Sequence, residues 1–114
     1  MTHQLNFIYN DSDWICPSEY PDLSQAKEIA IDLETKDPNI KTKGSGWATF
    51  DGGIVGFAVA AFDQQWYFPI QHDAGGNMDL TITCAWFQDI LKTPATKIFH
   101  NASYDVGWLL VNGF

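Results

Sequence analysis

Apolar and polar positions alternate along residues 28–34. Ile29, Ile31 and Leu33 fall on one side, and Ala30, Asp32 and Glu34 on the other. This period of two predicts a strand with one buried face. Residues 53–62 form a nearly continuous apolar run, which suits a buried central strand. Residues 65–70 follow at hairpin distance, and Pro69 places a strand end or an edge there. After Gly75 and Gly76, Asp79 offers an N-cap for a helix through Lys92. Ile82, Trp86 and Ile90, with Ala85 and Phe87, give that helix its apolar face, and Pro94 enforces the stop. Residues 97–100 read as a short strand, and Asn101 opens a last helix that Gly113 ends.

The segment 35–47, with Pro38, Gly44 and Gly46, reads as a long loop. Residues 1–27 read as a preamble carrying a short strand at 5–9, punctuated afterwards by Pro17 and Pro21. The order is strand, strand, strand, helix, strand, helix: an α/β chain with an antiparallel hairpin early on. It finishes on a helix with no strand to follow, so the sheet is expected to be carboxy-terminally incomplete. No internal repeat or low-complexity stretch appears.

The chain has 114 residues, enough for one small domain. Its 46% apolar content, with five Trp, eight Phe and four Tyr, can build a real core. Charge changes the picture more. The net charge is −8, and the basic residues are six lysines with no arginine. That argues against a protein that grips nucleic acid by neutralising phosphates directly. It leaves room for an enzyme whose carboxylates hold cations, because the metal then meets the phosphate. Lys36, Lys41 and Lys43 follow the most acidic motif and soften the balance there. Cys16 and Cys84 make no C-x-x-C pair or disulfide framework, which fits a reducing compartment. The amino terminus has no basic-then-apolar pattern, and no apolar window approaches the ~18 residues of a membrane span. The default expectation is a cytoplasmic protein with no membrane partner.

Two places could carry chemistry. Asp32 and Glu34 leave one face of a strand two positions apart, with backbones about 6–7 Å apart. A D-x-E at a strand end is most simply solvated. Beside Ile29, Ile31 and Leu33, however, two like charges are costly unless a cation sits between them. Hard oxygen ligands of this kind suit Mg²⁺ or Mn²⁺. The second place is Asn101-Ala-Ser-Tyr-Asp105. Taken alone, Asn101 is a good N-cap and Asp105 an acid complementing a helix dipole. The functional reading needs Asp105 aimed where Asp32 and Glu34 point, which a helix opening at the end of strand 97–100 can achieve.

The two motifs together carry a resemblance. Ile31-Asp-Leu-Glu-Thr35 resembles the first motif of the DEDD 3′→5′ exonucleases, and Asn101-x-x-Tyr-Asp105 resembles the second. The stretches Thr35-Lys-Asp-Pro38, Gly46-Trp-Ala48, Ile54-Val-Gly-Phe-Ala-Val-Ala60 and Tyr67-Phe-Pro-Ile-Gln-His72 are similar to a phage-type family A DNA polymerase. So is Ile98-Phe-His-Asn-Ala-Ser-Tyr-Asp-Val-Gly-Trp-Leu109, and the likeness runs from about Pro21 onward. The resemblance implies a ribonuclease H-like mixed sheet flanked by helices, over a partial exonuclease domain at 28–114. It implies two-metal hydrolysis of nucleotides from a DNA 3′ end, with two Mg²⁺ or Mn²⁺ ions in a complete domain. Asp32 would bridge the ions, Glu34 bind one and Asp105 hold the other. Thr35 and Asn101 match positions used near the terminal nucleotide, with Tyr104 and Leu33 as packing or base contacts. The implied partners are a single-stranded DNA 3′ end and a polymerase domain of the same or a companion chain.

The family's third motif, Tyr-x-x-x-Asp or His-x-x-x-x-Asp, has no match after the second. Tyr9 and Asp13 have the spacing but precede the first motif. These residues alone are therefore expected to be inactive. Two other readings stand beside the exonuclease: a non-catalytic module that packs on a polymerase or binds DNA ends, and a ribonuclease D-like RNA exonuclease. The polymerase-like text at 35–38 and 67–70 favours the DNA enzyme over the latter. His72 and His100 read as capping or core histidines. Most of the tryptophans read as core, with Trp47 the most exposed. Gly44-Ser-Gly46 lacks the lysine and helix of a phosphate loop.

Overall fold

A computed structural model describes residues 16–114. The strand expected at 5–9 lies outside the described residues. The elements run β1 (Glu28–Lys36), α1 (Ile40–Lys43), α2 (Gly46–Thr49), β2 (Gly53–Ala61), β3 (Gln64–Pro69), α3 (Leu80–Leu91), β4 (Thr96–Phe99) and α4 (Ala102–Val111). The four strands form one mixed sheet in the order β3-β2-β1-β4. β1 is antiparallel to β2 and parallel to β4, and β2 is antiparallel to β3. Two-residue turns can join antiparallel neighbours only; a parallel β4 needs the crossover that α3 supplies. The result is an α/β fold with helices flanking a mixed sheet, consistent with a ribonuclease H-like arrangement.

The hairpin turn is Phe62-Asp63, and both residues have positive φ, 54° and 61°. This is the mark of a type I′ turn, whose twist matches the flanking strands. It is formed here without glycine.

One sheet face carries the core. Ile29, Ile31 and Leu33 of β1, Phe57 and Val59 of β2 and Phe68 of β3 are buried together. α3 lies against them: Phe87 stacks on Phe57 with ring centroids 4.0 Å apart, and Phe114 meets both rings edge-on. The buried stripe of α3 is Thr83, Phe87 and Ile90. This corrects the expected face, since Ile82 is 57% exposed and Ala85 is exposed too. Thr83 is admitted to the core because its hydroxyl bonds Tyr20 at 2.6 Å, which removes the cost of burying it. Tyr20 also stacks on Phe68, and Leu23 and Ala26 are buried. Residues ahead of position 28 therefore pack as part of this core. Asp79 caps α3 as expected, its carboxylate accepting from the Ile82 N–H at 2.8 Å.

The segment 35–47 differs from the expected loop. β1 continues to Lys36, and α1 and α2 follow. Two contacts organise it. The Asp37 carboxylate accepts from the Gly46 N–H at 3.0 Å, and Trp47 packs on Gly107 of α4, where an added Cβ would come within 2.4 Å of the indole. Trp47 is consequently half-buried rather than the exposed member of its set.

Candidate functional site

The opposite sheet face carries small and polar residues. Asp32, Ala58 and Tyr67 lie opposite one another across β1, β2 and β3, as do Glu34, Gly56 and Pro69. The pleat thus puts Asp32 and Glu34 on one side, away from Ile31 and Leu33. A bulge separates Glu34 from Thr35, and bulges re-aim the side chains next to them.

α4 brings the third acid. β4 ends at Phe99, opposite Ile31, so among the described residues no strand pairs with the β1 edge beyond it. Asp105 fills that gap, and a backbone hydrogen bond from Leu33 reaches its carboxylate. Asp105 is 3% exposed and Asp32 6%. One oxygen of each, Oδ2 in both cases, is buried with no hydrogen-bond partner among the described residues. Burial first, and then repulsion from Asp32, push the Asp105 carboxyl up to about 7, with the Leu33 bond opposing them. Burial also raises Asp32, opposed by the charge of His100. Glu34 is half-buried on the same face. The structure thus places Asp105, from the second motif, against Asp32 of the first, with Glu34 on the same face.

Around this group, Tyr104 is a junction. Its hydroxyl donates to Asp37 Oδ2 at 2.7 Å and lies 2.9 Å from Thr35 Oγ1. A tyrosine has one proton to give, so the Thr35 hydroxyl is the donor in the second bond. Burial raises the Tyr104 hydroxyl above its usual range, the Thr35 bond lowers it and the Asp37 bond raises it. It therefore remains a donor.

Leu33 contributes its side chain to the core and its N–H to Asp105. Asn101 occupies the N-cap position of α4 but makes no side-chain capping bond, unlike the cap expected of it, and it is exposed. His100, expected as a capping or core histidine, is exposed and so not a core one. No motif in the sequence marks Asp37, or the influence of His100 on Asp32. No motif marks Tyr67 either, whose hydroxyl is hydrogen-bonded to His72 Nε2. The text at 67–72 was the only signal for that pair.

The donor chemistry is of the hard, anionic kind. Two buried carboxylate oxygens without partners among the described residues, repelling one another, are ligands that a divalent cation would stabilise. Among the described residues, no group of three or more His, Cys, Asp or Glu side chains is gathered closely enough to hold an ion as arranged. Among the described residues, no helix is long and apolar enough to cross a membrane.

No protein-family model matches the chain. It is similar to a DNA-directed DNA polymerase of Pseudomonas phage M6, with 34% identity over 112 residues. The match covers 94% of this chain and 17% of that protein. The chain thus spans a minor part of its relative's length, and the likeness supports reading it as a DNA polymerase region.

Proposed function

We propose that this chain carries the 3′→5′ exonuclease site of a DNA polymerase, which removes nucleotides from DNA 3′ ends in a divalent-cation-dependent hydrolysis. The observation that carries this reading is the meeting of Asp105 with Asp32, each with a buried carboxylate oxygen that no hydrogen bond among the described residues satisfies. Asp32, Glu34 and Asp105 would hold Mg²⁺ or Mn²⁺. When bound, such ions supply positive charge to meet the phosphate and a Lewis acid to activate water. The chain's own residues do the rest. The Leu33 N–H holds Asp105 against β1, Tyr104 fixes the first turn of α4, and Asn101 stands exposed at the N-cap position of that helix. A single-stranded DNA 3′ end is the substrate in this reading. A polymerase domain, in the same or a companion chain, is the partner.

The non-catalytic reading has one observation in its favour: among the described residues no three-ligand metal group is gathered. One experiment separates the two. Mn²⁺ binding is followed by titration calorimetry in the wild type, Asp32→Ala and Asp105→Ala. Binding and shortening of 5′-labelled single-stranded DNA are then followed with and without Mn²⁺. The proposal expects Mn²⁺ binding that falls most in Asp32→Ala, and Mn²⁺-dependent capture of 3′-hydroxyl ends that the same variant loses. Equal Mn²⁺ binding by all three proteins would overturn the site. Capture of DNA ends that ignores both Mn²⁺ and Asp32 would favour the non-catalytic module.

A further inference from the structure

Gly56 lies directly opposite Glu34 in the β1–β2 ladder. A Cβ added at Gly56 would stand 2.0 Å from the Tyr67 hydroxyl oxygen. The hydroxyl therefore occupies the space that a side chain opposite Glu34 would fill. Cβ atoms of directly opposed residues on antiparallel strands are about 4.5–5.5 Å apart. The Glu34 side chain is long enough to span that distance and bring its carboxylate to the Tyr67 oxygen. Tyr67 comes from the neighbouring lane, opposite Ala58 and Asp32, and leans along the sheet toward Glu34. Only glycine at position 56 permits this approach.

The tyrosine is itself held. It is 5% exposed, its hydroxyl is hydrogen-bonded to His72 Nε2, and the two rings meet edge-on with centroids 5.7 Å apart. His72 is fixed through its backbone. Its N–H donates to Asn77 Oδ1 at 2.8 Å, and its carbonyl accepts from Asn77 Nδ2 at 3.0 Å. The next residue, Asp73, pairs with Lys36 at the end of β1 at 2.9 Å. The connection after β3 is thereby tied to the strand that carries the acids.

We infer that Tyr67 is a positioning residue for Glu34, oriented by His72. The His72 Nε2–H donates to the Tyr67 oxygen, which turns the tyrosine's single proton toward the Glu34 carboxylate. A carboxylate that accepts such a bond has one oxygen committed and is fixed in orientation, and ligands to cations are commonly oriented by outer partners in this way. The consequence for cation binding rests on the function proposed above; the hydrogen-bond chain itself does not.

The test uses two readouts. In metal-free protein, ¹⁵N NMR of the His72 ring should show the Nε2-protonated form. Glu34→Ala should change that pattern, because the Tyr67 proton loses its acceptor and competes for Nε2. A His72 ring protonated at Nδ1 alone in the wild type, or one that ignores Glu34→Ala, would overturn the inference whether or not a cation binds. Calorimetry with Mn²⁺ is the second readout. Tyr67→Phe keeps the ring over Gly56 and should weaken Mn²⁺ about 10-fold, with an unchanged far-UV spectrum. In a Glu34→Ala background the same substitution should add no further loss. A wild type that binds Mn²⁺ and a Tyr67→Phe variant that binds it equally well would refute the positioning role. A wild type that binds no Mn²⁺ would remove the metal reading and leave the NMR result to decide the chain.

Discussion

Asp105 meets Asp32 in an arrangement that favours only one negative charge between them. Both carboxylates are buried, each has an oxygen without a hydrogen-bond partner among the described residues, and their repulsion adds to burial in pushing the Asp105 carboxyl up to about 7. A folding core gains nothing from such a pair. The proposed cation site would gain, because an ion would supply what desolvation has removed.

This relationship predicts an unusual pH dependence of stability. Asp105 titrates at about 7 in the folded chain against an ordinary 3.8, so between those values the folded state holds a proton that the unfolded state has released. Stability therefore falls as pH rises from about 4 to about 7, then levels. The upward shift of Asp32 acts in the same direction. The Asp105 contribution is on the order of 4 kcal/mol at most. Urea unfolding in EDTA should show a less stable protein at pH 8 than at pH 5. Asp105→Asn should flatten the profile, and Mn²⁺ should restore wild-type stability at pH 8 while stabilising Asp105→Asn by less. A wild-type profile that rises with pH would contradict the arrangement.

Gly107→Ala tests how α4 is seated. The added methyl would lie 2.4 Å from the Trp47 ring, far inside van der Waals contact, and the indole must give way. Helix propensity favours Ala by up to about 1 kcal/mol, whereas overpacking costs about 1–3 kcal/mol. The expected net loss is about 1–2 kcal/mol in urea unfolding, with a change in tryptophan emission as Trp47 is displaced. A variant more stable than the wild type would show that the indole moves aside freely.

The strands were legible because each records its surroundings locally. The alternation at 28–34 and the unbroken apolar run of β2 report one buried face and a central place in the sheet. The Asp79 cap was legible for the same reason. The stripe of α3 was not. Choosing Thr83 over Ile82 depends on Tyr20, which lies 63 positions away and satisfies the Thr83 hydroxyl. The helices in the expected loop depend likewise on Gly107 and Tyr104, far downstream in the chain. At the site, the approach of Asp105 to Asp32 was readable only from two motifs taken together. Nothing local marks Gly56 as the space that Tyr67 fills.

The last prediction concerns the junction at Tyr104. Its hydroxyl joins α4 to Asp37, and through Asp37 Oδ2 to the Gly46 N–H that opens α2. Removing the hydroxyl leaves Asp37 with the Gly46 bond and Thr35 without its acceptor. A hydrogen bond to a charged group contributes about 1.5–3 kcal/mol, and this one is only partly buried. Tyr104→Phe should therefore cost about 1–2 kcal/mol in urea unfolding. The loss should appear locally as faster amide exchange across residues 46–49, whose attachment to α4 then keeps the Trp47 packing without this polar link. Asp37→Asn weakens the same bond from the other side. The double variant should then cost less than the sum of the two singles by about 0.5–3 kcal/mol, the range found for residues in one network. Strict additivity would mean that Tyr104 and Asp37 act separately, and that the first turn of α4 is fixed by packing rather than by this bond.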